Sequence, residues 1–125
     1  MAHILLVEPD AILARAYQAA LCRAGHTVDT AATAQAAVSL ADQRRPDAVV
    51  LELHLPRHNG VEFLYEFRSY ADWQAVPVLI HSMLSASEFA VIGQQQRDLL
   101  GIRAHLYKPS TSLAMLVQQV HGVLA

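Results

Sequence analysis

The chain has 125 residues, 54% hydrophobic and 16% charged, with a formal net charge of -2. That length fits one domain, 1–125, with an ordinary core, and so apolar a chain is not intrinsically disordered. The lone cysteine, Cys22, excludes an internal disulfide framework, and the slight acidic balance excludes a dedicated nucleic-acid-binding domain.

No apolar run approaches the roughly 18–20 residues that cross a bilayer. His3-Ile4-Leu5-Leu6-Val7 meets Glu8 without the plan of a signal peptide. The expectation is a cytoplasmic protein that engages neither nucleic acid nor membrane.

In chain order, Ile4 to Val7 predicts a first strand, stopped by Glu8-Pro9-Asp10. Segment 12–24 predicts a helix with Leu13, Ala16, Ala20 and Ala24 inward, ending at Gly25. Thr27 to Ala31 predicts a short strand, and Ala34 to about Arg44 a helix capped by Thr33 and stopped before Pro46. Ala48 to Leu51 is the most strand-like run and leads into Glu52. After Asn59-Gly60 a third helix is expected to bury Val61, Leu64 and Phe67, and Phe63 and Tyr70 share its helical spacing.

Val78 to Ile80 predicts a fourth strand. Ser85 and Glu88 then have the spacing of a capping box, opening a helix that carries Phe89, Ile92, Gln96 and Leu99, with Gly93 as its weak point. Trp73 is expected to cover the core edge before that strand. Ala104 to Tyr107 predicts the fifth strand, and Leu113, Leu116, Val117, Val120 and Leu124 form the clearest helical stripe.

Strict alternation of strands and helices, with strands apolar on both faces, points to a parallel sheet covered on each side. Right-handed crossovers favour a doubly wound α/β sheet in order 2-1-3-4-5. Ligands in such sheets bind beyond the carboxyl ends of the strands, where the order reverses. The residues placed there are Glu8, Asp10, Glu52, Ser82 and Lys108, the last being the only lysine in the chain. A lysine at that mouth suits a carboxylate or phosphoryl oxygen, as a compact point charge.

Four segments together resemble the receiver domain of bacterial two-component response regulators. They are Ile4-Leu5-Leu6-Val7-Glu8, Pro46 to Pro56 leading to Asn59-Gly60, Pro77-Val78-Leu79-Ile80, and Tyr107-Lys108-Pro109. The resemblance covers nearly the whole chain and implies a flavodoxin-like fold. It implies a phosphorelay pocket in which an aspartate after strand three accepts a phosphoryl group, aided by magnesium. On that pattern Glu8 matches the first acidic position, His54 supplies a backbone carbonyl, and Ser82 and Lys108 match the groups that grip the phosphoryl oxygens.

Three positions depart from the pattern. Glu52 stands at the phosphoacceptor, Pro9 at the second acidic, metal-ligating position, and His105 at the aromatic switch position. Pro9 removes a ligand from an ion that demands near-octahedral oxygens, and Asp10 could compensate only if its direction allowed. Glu52 carries one extra methylene, in a reaction that depends on positioning. The longer side chain is instead expected to reach Lys108 and Ser82, filling the space of a phosphoryl group.

The resulting expectation is a pseudo-receiver that is not an enzyme, needs no cofactor and carries no output domain. It would bind a histidine kinase or downstream effector through the face of helix four, strand five and helix five, and a homodimer stays open. His105 on or beneath that face could respond to pH. The alternative is a working phosphoacceptor, Glu52, with magnesium held by Glu8 and Asp10. A small-ligand binder of the flavodoxin type is a third reading. Seven histidines do not make a zinc site, because adjacent strand residues such as His81 and Ser82 face opposite sides. Neither a Gly-x-Ser-x-Gly elbow nor a glycine-rich phosphate loop is present.

Overall fold

A computed structural model describes all residues 1–125. The strands are β1 (His3–Val7), β2 (Thr27–Ala31), β3 (Ala48–Leu51), β4 (Val78–Ser82) and β5 (Ile102–Tyr107). The helices are α1 (Ala11–Arg23), α2 (Ala34–Gln43), α3 (Gly60–Ser69), α4 (Ala86–Phe89), α5 (Gln94–Leu100) and α6 (Leu113–Leu124). All strand pairs are parallel, in the order β2-β1-β3-β4-β5, which is the expected doubly wound α/β topology. No helix is long and apolar enough to cross a membrane.

Period-two alternation divides the strands between two cores. Leu5, Val7, Val49, Leu51, Val78 and Ile80 face α2 and α3 with Phe63, Phe67 and Trp73. Ile4, Leu6, Ala48, Val50 and Leu79 face α1 and α6 with Tyr17, Leu21, Leu116 and Val120. Both faces of the three central strands are therefore buried, and their sequences need no polar alternation. The edge strand β2 is only part-buried, which is why it reads as weakly apolar.

Helix ends follow side-chain chemistry. Thr33 caps α2 through the Ala36 amide, and Ser85 with Glu88 closes a capping box on α4. Asn59 caps α3, and Gly60 follows it because a Cβ there would lie 2.8 Å from the Leu53 backbone. That close approach draws the loop after β3 against the start of α3.

Three packing expectations are corrected. The buried stripe of α1 is Ala14, Tyr17, Ala20 and Leu21, while Leu13 is exposed. Alanines on several faces of that helix leave its inward side undefined by hydropathy, and the large Tyr17 and Leu21 decide it. In α3 the inward residues are Phe63, Leu64 and Phe67, with Val61 only part-buried and Tyr70 exposed; in α6 Leu113 is exposed.

The helix expected to run on past Phe89 breaks into α4 and α5, and Leu99 is 68% exposed. Gly93 is the cap of α5 at φ -67° and ψ 160°, so the chain leaves helical geometry there. Arg97 braces the break: its Nε donates to the Ile92 carbonyl at 2.7 Å and its Nη2 to the Phe89 carbonyl at 3.2 Å. Free carbonyls at the end of α4 thus find a donor in the next helix.

Candidate functional site

The pocket is assembled by strand register. The Glu8 amide donates to the Ala31 carbonyl at 2.9 Å and the Glu52 amide to the Val7 carbonyl at 3.0 Å, so both acids extend the ladder one residue beyond β1 and β3. Ser82 is the last residue of β4, and Lys108 opens the short turn after β5. The ends of three neighbouring strands and a fourth thereby bring four side chains to one place.

Lys108 is the hub. Its Nζ donates to Glu52 Oε1 at 2.7 Å and lies 2.5 Å from Glu8 Oε1. Glu52 Oε1 also accepts from the Met83 amide at 3.3 Å, and Oε2 accepts from the His54 amide at 3.1 Å and from the Ser82 hydroxyl. A carboxylate offers about four acceptor directions, and all are engaged here. Ser82 Oγ in turn accepts from the Leu84 amide at 3.2 Å, and Glu8 Oε2 from the Asp10 amide at 3.1 Å.

Burial and hydrogen bonding oppose each other in this cluster. Burial alone would raise the Glu52 carboxyl, but hydrogen bonds from Lys108, Ser82 and the His54 amide hold it below its ordinary value. Burial would likewise lower the Lys108 ammonium, yet its bonds to Glu52 and Glu8 hold it above its ordinary value. The charged forms persist because they face each other. One ammonium between two carboxylates leaves the cluster with one excess negative charge.

Asp10 does not join this pocket. It is exposed, and its Oδ1 accepts the Ile12 and Leu13 amides at 3.0 Å as the cap of α1. The expected acidic pocket thus contains Glu8 alone of the residues after β1, with Pro9 contributing no polar side chain. On the sequence alone, position 10 is expected only as a pocket acid, although an aspartate ahead of a helix is also a suitable cap.

His105 lies half-buried on β5 at the side of the pocket. Its Nε2 is 2.9 Å from the Leu84 carbonyl, and its ring stacks on Phe89 with centroids 4.3 Å apart. The Arg97 guanidinium lies 4.4 Å from the same Phe89 ring. The sequence named His105 but did not reveal Phe89 as its neighbour, nor Arg97 as the neighbour of Phe89; no spacing rule links a strand residue to a side chain on an earlier helix.

Of the remaining histidines, His26 and His121 touch each other, with ring centroids 4.9 Å apart, and the others stand separately. His81 points away from Ser82 into the α1–α6 core, with its ring 4.7 Å from that of Tyr17 in an edge contact. Burial first, then the Lys108 charge, push its imidazole down to about 4. His54 and His58 are exposed, and no three His, Cys, Asp or Glu side chains converge as a metal-binding group.

The response regulator receiver domain family matches residues 4–121. Protein PilH of Pseudomonas aeruginosa is 30% identical over 125 residues, covering 100% of this chain and 99% of its own length. The KDP operon transcriptional regulatory protein KdpE of Escherichia coli is 36% identical over 85 residues, which are 68% of this chain and 36% of that protein. The chain thus spans about a third of one relative and nearly all of another. In fold it is similar to the chemotaxis protein CheY4 of Vibrio cholerae, with a TM-score of 0.86, 24% identity and 98% coverage of both chains. Topology, strand-end pocket and sequence match agree, and the chain belongs to the response regulator receiver domain family of two-component signalling.

Proposed function

We propose that this receiver works as a protein-interaction module whose pocket is filled from within, by Glu52, rather than by a phosphoryl group. The observation that carries this reading is the Glu52 carboxylate, bound by Lys108, Ser82 and two backbone amides at once. Lys108 and Ser82 are the groups that would otherwise be free for phosphoryl oxygens. In-line transfer to Glu52 would first require the carboxylate to give up those donors, with its nucleophilic oxygens still one methylene out of register.

The residues present do not fit a magnesium ion. Magnesium takes oxygen ligands at about 2.0–2.1 Å. Here the Lys108 ammonium already lies between the Glu8 and Glu52 carboxylates, at 2.5 and 2.7 Å. Pro9 offers no ligand, and the Asp10 carboxylate is committed to the cap of α1. A cation is part of the pocket, and it is covalently attached.

Receiver domains interact with histidine kinases and effectors, and the partner of this chain belongs to one of those two classes on our reading. The surface it uses is that of α4, α5, β5 and α6, where His105, Phe89 and Arg97 hold one arrangement. Incubating the protein with acetyl phosphate and magnesium, followed by intact-mass measurement, tests the reading. No phosphoryl adduct is expected on the wild type. Adduct formation on Glu52 would establish the phosphoacceptor alternative, with Glu8 and Asp10 as its metal ligands.

A further inference from the structure

On the opposite side of the sheet from α1 and α6, a groove runs between α2 and α3. A cavity of about 470 Å³ there is lined by Val38, Asp42, Glu66, Tyr70 and Trp73. A second, of about 350 Å³, continues past Asp42, Tyr70 and Trp73 to Arg45 and Asp72. None of these residues belongs to the strand-end pocket.

The floor of the groove is aromatic and fixed. Trp73 is 5% exposed, stacked on Phe67 at 4.9 Å and packed against Tyr70 at 4.6 Å. Tyr70 is 43% exposed, so a good part of its ring faces solvent with its back supported. The rim is acidic, and the Asp42 and Glu66 carboxylates are both exposed with no ion-pair or hydrogen-bond partner. Arg45, the one fixed cation along the groove, spends its Nε on the Asp72 backbone carbonyl at 2.9 Å. His58 at the far end faces Glu62 at 3.5 Å.

Aromatic walls with unpaired carboxylates at their edge are complementary to a cation carried on an apolar or planar stem. A guanidinium satisfies both features, since it stacks on a ring and forks onto a carboxylate, whereas a lysine ammonium supplies only a point charge. The molecule uses the same pairing internally, where Arg97 lies over Phe89.

We propose that the α2–α3 groove is a second recognition site, which takes an arginine side chain presented by a protein partner. The guanidinium stacks on Tyr70 and is held by Asp42 and Glu66. The site is separate from the α4–β5–α6 surface, so a partner can be gripped there whatever the state of the pocket.

Trp73 is the only tryptophan in the chain and forms the groove floor, so intrinsic fluorescence reads this site directly. The full chain would be titrated with the blocked peptide acetyl-Arg-Arg-Arg-amide, and separately with its triglutamate counterpart. A saturable change with the arginine peptide alone is expected. The double substitution Asp42→Asn with Glu66→Gln should weaken it by roughly tenfold, and Asp98→Asn on α5 should leave it intact. Circular dichroism establishes that each variant is folded. No saturable response, an equal response to triglutamate, or an equal loss in Asp98→Asn would overturn the proposal. So would a fluorescence change that tracks protein concentration without peptide, since that would make a second copy of the chain the occupant.

Discussion

Lys108 and Glu52 meet at 2.7 Å although 56 residues separate them in the chain, and their side chains are only 7% and 4% exposed. The contact ties the loop after β3 to the loop after β5, across the end of β4. Lys108 has two partners and Glu52 has four donors, so the two ends of the bond differ in what their loss leaves behind. Glu52→Gln keeps the shape and leaves Lys108 with Glu8, and should cost about 1–3 kcal/mol. Lys108→Ala strands two buried carboxylates and should cost more, about 3–5 kcal/mol. Urea denaturation of both variants at neutral pH gives the order, and equal losses would show that the lysine is not the hub.

Acid should destabilise the fold in two steps of different origin. The His81 imidazole, buried against Tyr17, titrates at about 4 instead of its ordinary 6.5. The unfolded chain therefore takes up that proton first as pH falls. Its contribution is complete above pH 6.5 and is lost on descent to about 4, a change of about 3 kcal/mol at most. The Glu52 carboxyl is held below its ordinary 4.5, so its contribution is present above that value and disappears as pH drops through the folded-state value. Lys108, held above 10.5, contributes fully below that pH and is lost only as alkali passes its folded-state value. Denaturation midpoints measured from about pH 4 to 8 should decline in the wild type as pH drops through 6.5, and decline less steeply in His81→Phe, where His26, also held below 6.5 by burial, still takes part.

The fold was legible where burial leaves a strand no choice. Ile4 to Val7, Ala48 to Leu51 and Val78 to Ile80 are aliphatic because both sheet faces are covered, and their order follows from right-handed crossovers. The pocket was legible for the same reason, since Glu8, Glu52, Ser82 and Lys108 are simply the residues at which those strands end. Even the reach of Glu52 to Lys108 followed from one added methylene at a position fixed by topology. What escaped was chemistry that crosses between elements. Nothing in the spacing of Phe89, Ile92 and Leu99 shows that Arg97 folds back onto the carbonyls of Phe89 and Ile92. Asp10 escaped for a different reason: a cap and a pocket ligand call for the same residue at the same place.

That ambiguity is decided by Asp10→Ala. As the cap of α1, Asp10 satisfies the amides of Ile12 and Leu13 at 3.0 Å, and its loss should lower stability by about 1 kcal/mol. Asp10→Ser, which can still accept from those amides, should recover most of the loss. Magnesium at millimolar levels should shift the melting temperature of neither variant relative to wild type. A magnesium-dependent stabilisation present in the wild type and absent in Asp10→Ala would place that carboxylate in the pocket instead.

The break between α4 and α5, where Gly93 leaves helical geometry, is braced by a single side chain. Arg97 supplies donors to two carbonyls at the broken end and rests on Phe89, which also stacks on His105. Arg97→Gln is too short to reach both carbonyls and has no planar cation to lay on the ring. The expected stability loss is modest, about 1–2 kcal/mol. The larger effect should be local, with faster amide exchange at Ala90, Val91 and Ile92, whose bonds run back only to Ala86, Glu88 and Phe89. Because Phe89 touches His105, and His105 Nε2 meets the Leu84 carbonyl, the disturbance should extend to Leu84 and stop short of β2 on the far edge. His105→Phe preserves the stack while deleting the contact to Leu84, so it should loosen residues 84–85 and leave 90–92 protected. If both substitutions relaxed the same amides to the same degree, the stack would not be a chain of separate contacts but one unit, and the partner surface would respond to either residue as a whole.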